Sequence, residues 1–157
     1  MRIIGLGNPY RGDDGVGPLI AQRIKRKEIS GIEVLDWIMD AVALLDMWKD
    51  TDELILVDAA HCHHEPGTIH RFEPNTDILP SSLFPLSTHG FCLNDAIRLG
   101  KELDRMPPYF VIYAIDGCEF GMNEALTPAV RKAAFEVEKK ILLDIQSRGA
   151  GIQALQD

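Results

Sequence analysis

Four consecutive aliphatic residues, Leu54-Ile55-Leu56-Val57, followed at once by Asp58, constrain this chain more than any other feature. A run with no polar residue alternating through it is the pattern of a strand covered on both faces, as in the interior of a parallel sheet. The run therefore predicts a central strand, and parallel neighbours in turn require crossover helices. Asp58 closes the strand at a depth where an unpaired carboxylate is costly. Two readings stand side by side for it: a turn acid bonded to nearby amides, or a working carboxylate.

The remaining segments fit that frame. Arg2 to Gly7 reads as a buried strand closed by Gly7-Asn8-Pro9, and Val16, Leu19, Ile20 and Ile24 recur at helical spacing before the basic cluster Lys25-Arg26-Lys27. Ile32 to Leu35 is a second strand ending at Asp36, and residues 41–48 form a short helix with Leu44, Leu45 and Trp48 on one face. His61 to Gly67 reads as a polar loop, Thr68 to Phe72 as an edge strand, and residues 75–88, with Pro80 and Pro85, as irregular. A helix with Leu93, Ala96, Ile97, Gly100 and Leu103 on one stripe leads to a core strand, Tyr109 to Ile115. Thr127-Pro128 then opens a final helix that buries Val130, Ala134, Val137, Ile141 and Ile145, with Thr127 as N-cap. The expected fold is α/β, a three-layer αβα sandwich around a mostly parallel twisted sheet. Residues 1–147 form one domain and 148–157 a tail with little to bury.

Charge narrows the function classes. A net charge of −8 disfavours nucleic acid, whose binding draws on basic residues that neutralise phosphates, and equally disfavours anionic membrane surfaces. No stretch approaches the roughly 20 apolar residues of a membrane span, and the chain opens on a strand-like run, so a cytoplasmic location is expected. A monomer that docks transiently on its partner is the expected oligomeric state. The cysteines, Cys62, Cys92 and Cys118, are too widely and irregularly spaced for a disulfide framework.

Ligands of parallel sheets gather outside the carboxyl ends of the strands. Here those ends carry Asn8 to Asp14, Asp36, Asp58 and the loop after Ile115, so acidic groups converge on one edge. Gly5-Leu6-Gly7-Asn8-Pro9-Tyr10-Arg11-Gly12-Asp13-Asp14-Gly15-Val16-Gly17 has the outline of a phosphate-cradling turn, yet Asp13 and Asp14 would repel a phosphate there. The guest is expected to be cationic. Acids in a first helical turn are also ordinary dipole partners, so spacing alone does not separate Asp13 from Asp14. His89, in Ser87-Thr88-His89 before a helix, completes a set of two carboxylates and an imidazole suited to nickel, iron or zinc. The His61, His63, His64 cluster around Cys62 has no ordered ligand spacing and reads as solvated loop, and His70 stands alone.

Taken together, Gly5 to Gly17, Leu56-Val57-Asp58-Ala59 with Pro66-Gly67-Thr68 downstream, Ser87-Thr88-His89, and Gly121 through Leu126-Thr127-Pro128 resemble the motifs of the hydrogenase maturation proteases. Motif order and spacing are similar from Arg2 to about Gln146. The resemblance implies a phosphorylase/hydrolase-like fold. It also implies an endopeptidase, of aspartic type or nickel-dependent, that removes the C-terminal extension of a nickel-iron hydrogenase large-subunit precursor after nickel insertion. By the same resemblance Asp14, Asp58 and His89 are the nickel-contacting and catalytic positions, the nickel being carried by the substrate. Asn8, Asp13 and Asp36 fall at the cleft. Two segments depart from the family pattern: Asp36-Trp37-Ile38-Met39-Asp40 replaces an Asp-Gly-Gly-Thr type loop, and Gly90-Phe91 replaces Gln-Leu after the histidine.

Three other functions compete. A nickel-binding or metal-delivery module without protease activity would use the His61 to His64 run. The opening Gly-Leu-Gly-Asn-Pro also resembles peptidyl-tRNA hydrolase, but the residues after the turn are Gly12-Asp13-Asp14-Gly15 and the charge is wrong for tRNA. A dinucleotide-binding oxidoreductase needs a third glycine that is missing after Gly5-Leu6-Gly7.

Overall fold

The computed structural model describes residues 1–38, 41–61, 64–84 and 92–149. The expectations for His89, Cys62 and His63, for the Met39-Asp40 end of the departing loop and for residues 150–157 lie outside them.

The strands are β1 (Arg2–Leu6), β2 (Glu33–Ile38), β3 (Glu53–Ala60), β4 (Ile69–Phe72) and β5 (Tyr109–Asp116), in the sheet order β2-β1-β3-β5-β4. The Leu54–Val57 run is thus the middle of the central strand. It pairs in parallel with β1 on one side and β5 on the other, and β4 closes one edge as the antiparallel strand. Strand β3 continues past its expected end, because Asp58, Ala59 and Ala60 keep their ladder with Ala114, Ile115 and Asp116. Asp58 therefore lies within the sheet.

The helices are α1 (Val16–Lys25), α2 (Ala41–Trp48), α3 (Leu93–Glu102) and α4 (Pro128–Ser147). Their apolar stripes sort them onto two faces. On one face Val16, Ile20 and Ile24 of α1 and Val130, Val137, Ile141 and Ile145 of α4 pack with Ile55, Val57, Val111 and Tyr113. On the other, Leu44 and Trp48 of α2 and Leu93, Ala96 and Ile97 of α3 pack with Leu54, Leu56, Ile112 and Ala114. Alternation along a strand sends odd and even residues to opposite layers, which is how one apolar run feeds both cores. The three-layer arrangement expected from the alternating elements is the one observed. Each large aliphatic side chain buried this way contributes roughly 1.5–3 kcal/mol before the cost of ordering it.

Three local expectations change. Asp13 and Asp14 sit in a separate 3-10 turn, Gly12–Gly15, ahead of α1. Leu103 falls just past α3, where it is 48% exposed rather than part of the buried stripe. Arg148 is not loose tail: it ends α4, its Nε donates to Glu53 Oε1, and its guanidinium lies 4.0 Å over the Tyr109 ring. Among the described residues, no helix is long and apolar enough to cross a membrane.

Candidate functional site

Strand order reverses between β1 and β3, since β1 leads through α1 to a strand on its one side while β3 flanks it on the other. A crevice opens at the carboxyl ends on either side of such a reversal, because the following connections leave toward opposite faces. Asp14, from the turn after β1, and Asp58, within β3, meet at this place.

Asp14 is held by backbone. The Asn8 N–H donates to Asp14 Oδ2 at 2.9 Å, while Asn8 Oδ1 accepts the Tyr10 N–H at 2.9 Å and shapes the turn. Gly7 makes this possible: its φ is +120°, and a Cβ there would lie 2.0 Å from the Asp14 carbonyl oxygen. Asn8 thus orients Asp14 through its backbone amide.

Asp58 lies on the α2/α3 face, in line with Leu56 and Ala60. Burial and, second, the nearby charge of Asp14 push its pKa up to about 8, against the pull of the Ala59 N–H that donates to Asp58 Oδ1 at 2.8 Å. Two carboxylates that crowd one another in this way form a site that gains from an incoming cation. His61 forms a neighbouring wall: its ring stacks on Phe120 with centroids 3.8 Å apart and planes 15° off parallel. Desolvation lowers its pKa, with the charge of Asp14 opposing and that of Arg11 assisting, which favours the neutral imidazole.

Asp13 is not a cleft residue. It is fully buried, and its carboxylate accepts the N–H groups of Cys118 (2.9 Å), Glu119 (3.1 Å) and Thr127 (2.7 Å) together with the Thr127 hydroxyl. Thr127 accordingly does not cap α4 with its own side chain. The Asp13 carboxylate instead holds Thr127 in place at the start of α4, near the positive end of the helix. Asp36 also leaves the cleft: it pairs with Lys25 of α1 at 3.5 Å, on the α1/α4 side of the sheet. The physical reason is alternation, which turns Asp36 toward the layer opposite the one that Asp58 faces.

A second cluster stands at the same end of the sheet. His70 Nε2 lies 3.0 Å and His64 Nδ1 3.4 Å from Asp116 Oδ2. His70 is not isolated, as sequence spacing suggested, and His64 is not merely solvated loop. The signal lay in pairing rather than in spacing, because β4 runs antiparallel to β5 and brings His70 opposite Ala114. A groove of about 550 Å³ bounded by Arg71, Tyr113, Lys140 and Asp144 lies on the other face of the sheet and takes no part in either cluster.

Comparison with known proteins decides the family. The family model described as hydrogenase maturation protease matches residues 18–144. The chain belongs to the hydrogenase maturation protease family. The family match takes in Asp58 and begins after Asp14, so Asp14 is linked to Asp58 by its charge and by its place after β1.

Relatives include the hydrogenase expression/formation protein HupD of Thiocapsa roseopersicina, 26% identical over 144 residues, which are 83% of this chain and 64% of HupD. The hydrogenase 3 maturation protease of Escherichia coli K12 is 33% identical over 104 residues, 64% of each protein. The chain thus spans a little under two thirds of the length of these two hydrogenase maturation relatives. Similar solved structures include the hydrogenase maturating endopeptidase HybD of E. coli, with TM-score 0.75, 18% identity, and coverage of 96% of this chain and 94% of that one. The NiFe hydrogenase maturation protease HycI of Thermococcus kodakarensis gives TM-score 0.70, 22% identity, and coverage of 92% and 91%. At these identities the hydrogenase maturation protease structures establish the shared fold.

Proposed function

We propose that this family member is an endopeptidase that removes the C-terminal extension of a nickel-iron hydrogenase large-subunit precursor. In this reading nickel already seated in the precursor docks against Asp14, Asp58 and His89. The observation that carries it is the meeting of Asp14 and Asp58 at the point where strand order reverses, close enough for one charge to raise the other's pKa. Such a pair is poorly satisfied alone and well satisfied by a cation, which makes the metal in the substrate a recognition element. A precursor without nickel then lacks the group that the carboxylates favour.

Once docked, the substrate's ion polarises the scissile carbonyl, and a carboxylate of the pair takes the proton of the attacking water. His61, stacked on Phe120 and within reach of the charge of Asp14, is biased by desolvation toward the neutral form, which adds no positive charge to compete with the ion.

The test is incubation with nickel-loaded and nickel-free precursor, followed by mass spectrometry of the large subunit. Shortening is expected with the nickel-loaded form alone, and is expected to cease for Asp14→Ala and His89→Ala at unchanged melting temperature. Normal processing by both variants would overturn the assignment, and equal processing of nickel-free precursor would overturn the role of the metal.

A further inference from the structure

The cluster of His64, His70 and Asp116 stands outside the Asp14/Asp58 pair and has no part in the function proposed above. Asp116 is fully buried at the end of β5, while His70 is partly buried on β4 and His64 is exposed in the preceding turn. One side-chain atom from each, an imidazole nitrogen or a carboxylate oxygen, can be chosen so that all lie within 4.8 Å of one another. The two distances to Asp116 Oδ2, 3.0 and 3.4 Å, bracket the separation of about 3.3 Å between ligand atoms around a tetrahedral ion with bonds near 2.0–2.1 Å.

The backbone presets this arrangement. His64 and His70 flank the turn Glu65-Pro66-Gly67-Thr68, in which the Thr68 N–H and hydroxyl both donate to the Glu65 carbonyl, at 3.1 and 2.7 Å. The Gly67 N–H donates to the Asp116 carbonyl at 2.7 Å and the Asp116 N–H to the Thr68 carbonyl at 2.9 Å, so the turn is tied to the residue that would be its third ligand. Gly67 has φ +87°, and a Cβ there would meet the Ala129 carbonyl oxygen at 2.8 Å, which leaves glycine as the residue that fits.

We propose that His64, His70 and Asp116 bind a divalent transition-metal ion of the zinc class. Two imidazoles and one carboxylate suit zinc, cobalt(II) or nickel(II) and are poor ligands for magnesium or calcium, which take oxygen donors. Three protein ligands leave one position of a tetrahedral ion open, the pattern of sites that admit water or a further donor. The ion pins the turn before β4 to the end of β5. Asp58 and His70 both pair with Ala114, so the ion lies on the Asp58 side of the sheet, about 10 Å away at two strand spacings.

Equilibrium dialysis of the purified chain against zinc alone tests this, with cobalt(II) absorption as the measure of ligand geometry. The wild type and an Asp14→Ala/Asp58→Ala double variant are both expected to bind zinc at this site, and cobalt to show an intense tetrahedral visible band. His64→Ala, a change at an exposed position that leaves the core untouched, is expected to weaken zinc by about tenfold or more and to shrink the rise in melting temperature on zinc addition accordingly. His70→Ala should behave alike. Unchanged zinc affinity in both histidine variants, or loss of binding in the double variant alone, would overturn the proposal. So would failure of the wild type to bind zinc at micromolar concentration. None of these outcomes depends on whether a precursor is cleaved.

Discussion

The carboxylate of Asp13 receives both the backbone N–H and the hydroxyl of Thr127, a residue 114 positions further along the chain. Together with the Cys118 and Glu119 amides it joins the turn after β1 to the loop after β5 and to the start of α4. Removing it would orphan several buried donors at once. Asp13→Ala is therefore expected to destabilise the fold by about 3 kcal/mol or more, read as a shift of the urea midpoint at unchanged slope. A loss below about 0.5 kcal/mol would show that those donors find other partners.

Asp14 raises the pKa of Asp58 through its charge, as the second cause after burial. Asp14→Asn should lower the Asp58 value from about 8 while leaving it above the ordinary 3.8, since burial remains. Carbon-13 chemical shifts of the Asp58 carboxyl followed against pH give both numbers. An unchanged midpoint would mean that the two carboxylates do not sense one another.

The same shift sets a direction for stability. Between the ordinary 3.8 and about 8 the folded chain keeps a proton on Asp58 that the unfolded chain has released. The contribution of protonated Asp58 is therefore full below pH 3.8, shrinks as pH rises, and is gone above about 8. Asp58→Asn should gain on the wild type by about 1 kcal/mol or more between about pH 5 and pH 8 in paired denaturant melts. A difference that stays level across that range would contradict the assignment.

Gly7 has its positive φ beneath Asp14, with no room for a methyl group. Gly7→Ala is expected to cost about 1–3 kcal/mol and to displace the Asn8 amide that holds Asp14. Precursor processing should then fall more steeply than the folded fraction does, whereas Asn8→Ala, which keeps that amide, should retain measurable processing. Parallel melts and cleavage assays separate the two effects.

What could be read from the chain beforehand follows a physical division. The middle strand, its parallel partners and the apolar faces of the helices follow from residues near one another, because periodicity is a local property. The roles of Asp13 and Asp14 do not. They are adjacent acids in one turn, and their fates differ because Cys118, Glu119 and Thr127, all more than a hundred residues away, claim one of them. Asp36 likewise needed its layer to be known before its bond to Lys25 was visible. His70 looked solitary until antiparallel pairing set it beside Asp116. Asp58 was legible because a carboxylate ending an apolar run is conspicuous without any partner in view.

At only four residues, Ile69–Phe72, the border strand β4 offers a short outer edge, and it carries the cation Arg71. A foreign strand seeking a template would find few amides to match and a charge to desolvate. This border of the sheet is thus guarded against growing sideways into aggregates, and the same short strand that holds His70 serves as its stop.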